Sequence, residues 1–447
     1  MLEIRLDEQD AARVVRLAGR LDGTGAAALD AALATALADE SPRAVACLAP
    51  HTPLRRARAW VYLPRELAAA ADRRVRIQVR GGGDFPDEWE VIAGCLYRDC
   101  TAVTLTPLTG GYSAATFQAA STDREGRRLL PTVLKISSLA FTDREERAYH
   151  AHVRPFILNN SAVIMGRATH GSSAGLKYNF LGIAGPDTRL SSLGDHVAQR
   201  PVAELAPILD ALCLRILWPW YGQARDERIR PFVEHEPRGL FPGLVDDAAR
   251  HLGVSPDTAT IPCPELGRPL PNPYRALRYD YPARRDEAMA WRTSITHGDL
   301  NLNNVLLDEK ENLYVIDFSE TARRNAVADF ARLEALLVLQ TTRLTDERDF
   351  RHLVEFVEGL LRVATLGQSP PLVYRGDDPA VEKAYHLVCL LRGYAAGVAP
   401  PSGALLPYLL PLLQWTLPLV SFRQLETPRR RLSMMAAALA WERLGEA

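Results

Sequence analysis

The stretch from Ser294 to Leu337, SITHGDLNLNNVLLDEKENLYVIDFSETARRNAVADFARLEALL, constrains this chain more than any other. Asp299 stands five residues before Asn304 in a polar loop that opens onto the apolar run Val305-Leu306-Leu307. A second apolar run, Leu313-Tyr314-Val315-Ile316, ends at Asp317. The charged segment between them, Asp308 to Asn312, reads as a turn, so the two runs form a hairpin holding Asp299, Asn304 and Asp317 close together. Two carboxylates and an amide suit phosphoryl transfer. One carboxylate orients an attacking hydroxyl, while the amide oxygen and the other carboxylate hold Mg²⁺ against a triphosphate.

The pattern H-G-D-L-x-x-x-N followed by I-D-F, here His297, Gly298, Asp299, Leu300, Asn304, Ile316, Asp317 and Phe318, resembles the catalytic core of the aminoglycoside phosphotransferase and choline kinase superfamily, relatives of the protein kinases. The run from His297 through Glu334 is also similar to the kinase-like ternary-complex-associated domain of bacterial conflict and signalling systems. The resemblance implies an α+β, protein-kinase-like bilobal fold with a strand-rich small lobe and a helical large lobe. It implies Asp299 as base or positioner, Asn304 and Asp317 as Mg²⁺ ligands, and ATP or GTP as phosphoryl donor.

The upstream half carries the matching parts. Thr109 to Phe117 contains Gly110, Gly111, Tyr112 and Ser113 in a tight turn between strands, where small residues let backbone N–H groups approach phosphates. An ordinary hairpin uses the same residues. Lys135 is one of only four lysines in the chain and sits in the apolar strand Thr132 to Ile136. It resembles the kinase strand that presents a lysine to the α- and β-phosphates; the bland alternative is an edge-strand lysine facing solvent. Eleven residues on, Glu146 matches the lysine-partnering glutamate, with Glu145 the alternative, since neighbouring helix positions point about 100° apart. Lys177 to Gly185 resembles the last small-lobe strand and hinge, with Gly182 and Ile183 placed to bind the purine. His297 reads as packing beneath the Asp317 turn, and Asp329 as a helix-opening carboxylate that steadies the loop.

Two departures separate this chain from protein kinases. Asn301 stands where many of them carry a lysine that helps hold the γ-phosphate. Only eleven residues lie between Asp317 and Asp329, too few for a long phosphorylatable activation segment. Both favour a small-molecule acceptor. A nucleotide-binding pseudokinase that recruits partners through its N-terminal region is the alternative.

The length of 447 residues accommodates two or three domains. Residues 1–100 read as a separate α/β unit, 101–190 as the small lobe, and 191–447 as the large lobe with a helical insertion at 193–293. Within residues 1–100, strands are expected at Ala12 to Leu21, Ala44 to Leu48 and Arg74 to Val79. Helices are expected at Thr24 to Ala38, Leu54 to Ala71 and Glu88 to Tyr97. Val15 to Asp22 followed by an alanine-rich helix resembles the sulfate-transporter and anti-sigma-factor-antagonist (STAS) domain. The family's Asp-Ser pair falls near Arg55 and Arg56, so the resemblance implies docking of a protein partner or of the kinase-like lobe rather than phosphoregulation. Trp218, Trp220, Tyr221 and Asp226 are candidates for an acceptor pocket, with core packing the competing role for the aromatics.

A formal net charge of −1 argues against a nucleic-acid footprint over the surface. The six cysteines show no metal-ligand spacing, and the first residues lack the basic-then-apolar order of a secretory signal, so a cytoplasmic protein is expected. Ala404 to Phe422 is uncharged and close to membrane-spanning length, but three prolines interrupt it and a buried pair of helices is expected instead.

Overall fold

The structure is a computed structural model that describes residues 2–9, 12–19, 44–45, 61–62, 75–80, 85–108, 114–179 and 190–446, the first four segments as backbone only. It divides into two compact units: Met1–Thr142 with Val163–Phe180, and Asp143–Ala162 with Leu181–Ala447.

The first unit begins with an antiparallel ladder of β1 (Leu2–Gln9) and β2 (Ala12–Gly19), joined by the short strands β3 (Ala44–Val45) and β4 (Val61–Tyr62). Val61 and Tyr62 fall inside the segment expected to be helical. They pair antiparallel with Ala44 and Val45 instead, as suits a β-branched and an aromatic residue. The expected helix at Thr24 to Ala38, the remainder of Leu54 to Ala71, and positions 55 and 56 lie outside the described residues.

A six-stranded sheet comes next, built from β5 (Arg76–Val79), β6 (Cys100–Pro107), β7 (Ala115–Asp123), β8 (Thr132–Ser138), β9 (Ile164–His170) and β10 (Ser173–Asn179). Its order is β5-β6-β7-β8-β10-β9, with β5 parallel to β6 and the other neighbours antiparallel. Helix α1 (Asp87–Leu96) lies on the sheet, and Ile92, Tyr97, Leu105, Phe117, Leu134 and Ile136 form the core between them. The approach is close. A Cβ on Gly175 of β10 would stand 2.5 Å from Ile92, and Glu88 of α1 accepts hydrogen bonds from the Ser172 N–H (3.2 Å) and the Ser173 hydroxyl (2.8 Å). The expected boundary at residue 100 therefore cuts through one packed sheet. Ile77 and Val79 alternate inward and are covered by that same core, which ties β5 and α1 to strands β6 to β10.

Helix α2 (Leu139–Ala148) succeeds β8, and the second unit contains the rest of the chain's described elements. The strands of the second unit form small antiparallel sheets. One is β11 (Ser191–Ser192), β16 (Val305–Leu307) and β17 (Leu313–Val315); another is β12 (Arg225–Ile229), β15 (Met289–Thr296) and β18 (Ala322–Asn325). A hairpin joins β13 (Thr260–Cys263) to β14 (Arg268–Pro271). Helices α3 (Leu193–Gln199) and α4 (Val202–Ala211) precede these sheets' longer strands. Helices α5 (Ala328–Gln340), α6 (Glu347–Leu361), α7 (Pro379–Val398), α8 (Leu406–Thr416) and α9 (Thr427–Glu446) complete the unit.

Helix α5 is buried almost all round, as a helix enclosed by others is. The uncharged segment near the C-terminus forms one buried helix, α8, and a short 3₁₀ turn at Leu417–Ser421 rather than two full helices. Pro411 sits inside α8 and Pro418 opens the 3₁₀ turn, which explains the break. Among the described residues, no helix is long and apolar enough to cross a membrane.

Candidate functional site

Within the second unit, β15 runs into a loop from His297 to Asn304 whose backbone is fixed from below. Asp329, in the first turn of α5 and 1% exposed, accepts hydrogen bonds from the N–H of His297 (2.7 Å) and of Gly298 (3.0 Å). Tyr221 donates its hydroxyl to the same carboxylate at 2.9 Å. Burial, and then the charge of Asp329, push the Tyr221 phenol well above its ordinary value, so it remains a donor. Gly298 adopts φ +80°, and a Cβ there would stand 2.3 Å from the carbonyl oxygen of Glu320, so only glycine fits.

His297 is fully buried and spends both ring nitrogens on backbone. Nε2 lies 2.9 Å from the Ile316 carbonyl, and Nδ1 lies 3.3 Å from the Asp299 N–H. A carbonyl can only accept and an N–H can only donate, so the tautomer carries its proton on Nε2. The imidazole braces the loop against the strand that ends at Asp317.

Asn301 folds the loop on itself. Its Oδ1 accepts from the N–H of Asn303 (2.9 Å) and Asn304 (3.0 Å), an Asx turn at the position where a lysine stands in many protein kinases. Asn304 donates Nδ2 to the Asp299 carbonyl at 2.9 Å, which fixes the amide so that Oδ1, the atom able to ligate a metal, points the other way. Asp317 lies two residues past β17 with φ +65°, a left-handed conformation uncommon outside glycine. Ser319 donates its hydroxyl to Asp317 Oδ1 at 3.3 Å. The hairpin β16–β17 pairs Val305 with Val315 and Leu307 with Leu313, and Asp308 closes its turn by accepting from Lys310 N–H and Asn312 N–H, each at 2.9 Å.

The Asp299 carboxylate forms an ion pair with Arg332 of α5. That guanidinium is 14% exposed and its Cζ lies 3.5 Å from the ring centre of Trp415 on α8. Burial holds Arg332 below the ordinary guanidinium range, and the Asp299 charge opposes that effect. Sequence reasoning passed over Arg332. The available signal was the one cation in α5, three residues and so one turn after Asp329.

The other expected residues divide into four groups. In the first unit, Lys135 occupies β8, which lies between β7 and β10; it is therefore on a central strand and not an edge. It alternates with buried Leu134 and Ile136, and its Nζ stands 5.3 Å from the Phe141 ring centre. On α2, Glu145 is 3% exposed whereas Glu146 is half-buried, so Glu145 is the inward position of the pair. Gly110, Gly111, Tyr112, Ser113, Gly182 and Ile183 lie outside the described residues. Of the pocket candidates, Trp220 and Tyr221 are buried in the core. Trp220 donates Nε1 to the His152 carbonyl at 2.7 Å and packs edge-on to Phe318. Trp218 is partly exposed and Asp226 lies on the exposed face of β12.

These elements combine helix and sheet in one α+β architecture, and a family model recognises most of it. The chain belongs to the family of ternary complex associated domain 9, whose model matches residues 100–245 and 259–406. No curated protein sequence matches the chain. Among solved structures, a thermostable mutant of aminoglycoside phosphotransferase APH(4)-Ia, in a ternary complex with AMP-PNP and hygromycin B, is 15% identical. It aligns over 78% of this chain and 97% of that one, with a TM-score of 0.37. A choline kinase from Cryptosporidium parvum Iowa II is 13% identical over 77% of this chain and 89% of that one, with a TM-score of 0.33. A Plasmodium vivax ethanolamine kinase is 10% identical over 76% and 81%, with a TM-score of 0.34.

Proposed function

We propose that this protein is a Mg²⁺-dependent phosphotransferase that moves the γ-phosphoryl group of ATP or GTP to a hydroxyl of a small-molecule acceptor. One observation carries the reading. Asn304 is hydrogen-bonded to the Asp299 backbone, and Asp317, just past the adjoining hairpin, holds a left-handed conformation. Strained backbone at a polar residue is characteristic of functional sites.

Asp299 orients the acceptor hydroxyl, and Asn304 and Asp317 are the metal ligands. One carboxylate and one amide oxygen match the sparse protein ligation that Mg²⁺ accepts when phosphates and water complete its octahedron. Bound there, the ion would neutralise charge developing on the phosphoryl oxygens. Lys135 holds the α- and β-phosphates, and residues Gly110 to Ser113 cover them. Backbone groups near Gly182 and Ile183 meet the purine. The test is phosphate transfer from Mg·ATP and Mg·GTP to a panel of hydroxyl compounds. Asp299→Asn is expected to lower the rate by about 10²–10⁴-fold while nucleotide still raises the unfolding temperature. Equal rates in the two proteins would end this reading.

The glutamate that orients Lys135 is assigned to Glu145 in preference to Glu146. Glu145 is the more enclosed of the two, 3% exposed against a half-buried Glu146. Glu145→Gln is expected to lower kcat/KM at least about tenfold, and Glu146→Gln to stay within about twofold. Steady-state kinetics of the two variants, run side by side, decide between the positions.

A second reading is a nucleotide-binding switch without turnover, favoured by one observation: the Asp299 carboxylate is ion-paired with a buried arginine. Thermal stabilisation by nucleotide with no transfer to any acceptor would select it.

A further inference from the structure

The loop that carries Asp299 is held twice by one helix. Asp329 in the first turn of α5 grips its backbone through the N–H groups of His297 and Gly298. One turn later, Arg332 reaches the side chain of Asp299 through Nη2 and Oδ1. On its other side the guanidinium lies against the indole of Trp415, and its Nε is buried without a hydrogen-bond partner. A buried cation with an unsatisfied N–H is costly to keep, and packing alone does not require it.

We infer that Arg332 is a positioning residue for the proposed transfer: it fixes Oδ1 of Asp299, so that Oδ2 is the oxygen that meets the acceptor hydroxyl. The inference rests on the phosphotransferase reading and deepens it. Oδ2 is bordered by the Nδ2 atoms of Asn301 and Asn304, each at 3.4 Å, which set its direction. During transfer the acceptor oxygen bonds to the γ-phosphorus. The bond from phosphorus to the bridging oxygen breaks, its electron pair leaves with the nucleoside diphosphate, and the hydroxyl proton passes to Oδ2. A planar guanidinium can stack on Trp415 and ion-pair with Asp299 at once, which an ammonium cannot do equally well. Asn301 offers no charge at the loop, so the cation beside Asp299 comes from α5.

The test uses the full chain with Mg·ATP, water as acceptor, and phosphate release as the signal. Arg332→Met is expected to lower kcat about 10²-fold, as a misplaced catalytic group does, with the KM for ATP within about twofold. Arg332→Lys should fall between that variant and the parent. Guanidinium ion at millimolar concentration should return roughly tenfold of the rate lost in Arg332→Ala, which a purely structural defect would not do. A kcat for Arg332→Met within about threefold of the parent overturns the inference and leaves the phosphotransferase reading intact. If the methionine variant does not fold, Arg332→Lys decides: full kcat overturns the inference and reduced kcat with nucleotide-dependent stabilisation supports it. If the parent releases no phosphate to water, the same variants are compared in transfer to the hydroxyl panel, and a parent that transfers none there either overturns both.

Discussion

Asp329→Ala is expected to lower the free energy of unfolding by about 3–5 kcal/mol, enough to leave little of the marginal stability of a domain. The carboxylate is 1% exposed and accepts from two backbone N–H groups and from the Tyr221 hydroxyl. Alanine removes all three acceptors at once, and a buried donor left unpaired costs about 1–3 kcal/mol. No side chain can replace what the two N–H groups lose, because they belong to the loop itself. Asp329→Asn keeps one acceptor oxygen and introduces donors facing other donors, so a smaller loss of about 1–3 kcal/mol is expected. Urea unfolding of the three proteins measures both differences. If Asp329→Ala unfolds within about 1 kcal/mol of the parent, the worth of a single hydrogen bond, the loop is not braced in this way.

A comparable loss is expected for Arg392→Met. Arg392 of α7 pairs in a double fork with Glu334 of α5, at 2.6 and 2.8 Å, and donates to the Leu360 carbonyl of α6 at 2.6 Å. Tyr408 of α8 donates to the same carboxylate at 2.7 Å, so four helices meet at one ion pair. Both charged side chains are almost fully buried, 4% and 3% exposed. Removing one member of such a pair costs about 3–5 kcal/mol, because the other charge stays buried alone. Removing both is different. Glu334→Leu combined with Arg392→Met should recover most of that loss, to within about 1–2 kcal/mol of the parent. A double-mutant cycle by urea unfolding tests this, and additive single-mutant losses would refute it.

The hairpin and its loop were legible in the sequence because they depend on local chemistry. Val305 to Leu307 and Leu313 to Val315 are short apolar runs flanking a polar turn, and they pair in that register. The strand around Lys135 was legible because a lysine in an apolar run of an arginine-rich chain is conspicuous, and the sheet order places that strand centrally. The N-terminal boundary was not legible. Arg76–Val79 alternates as any exposed strand would, and only its parallel pairing with β6 assigns it to the six-stranded sheet. Nor was the Arg332 contact, since it joins residues far apart in sequence through the way α5 crosses beneath the loop. Which of Glu145 and Glu146 is the enclosed one depends on which side of α2 is covered, a property of the neighbours rather than of the helix. Trp220 and Tyr221 belonged to the core because their polar tips found the His152 carbonyl and the Asp329 carboxylate.

The backbone at Asp317 sets a conflict between durability and use. Its φ of +65° is one that glycine adopts without penalty and aspartate does not. A library selected only for resistance to heat would therefore drift towards glycine at this position and report it as an improvement. Such a population would grow hardier while discarding a carboxylate, so any thermostabilised descendant of this chain should have codon 317 held fixed.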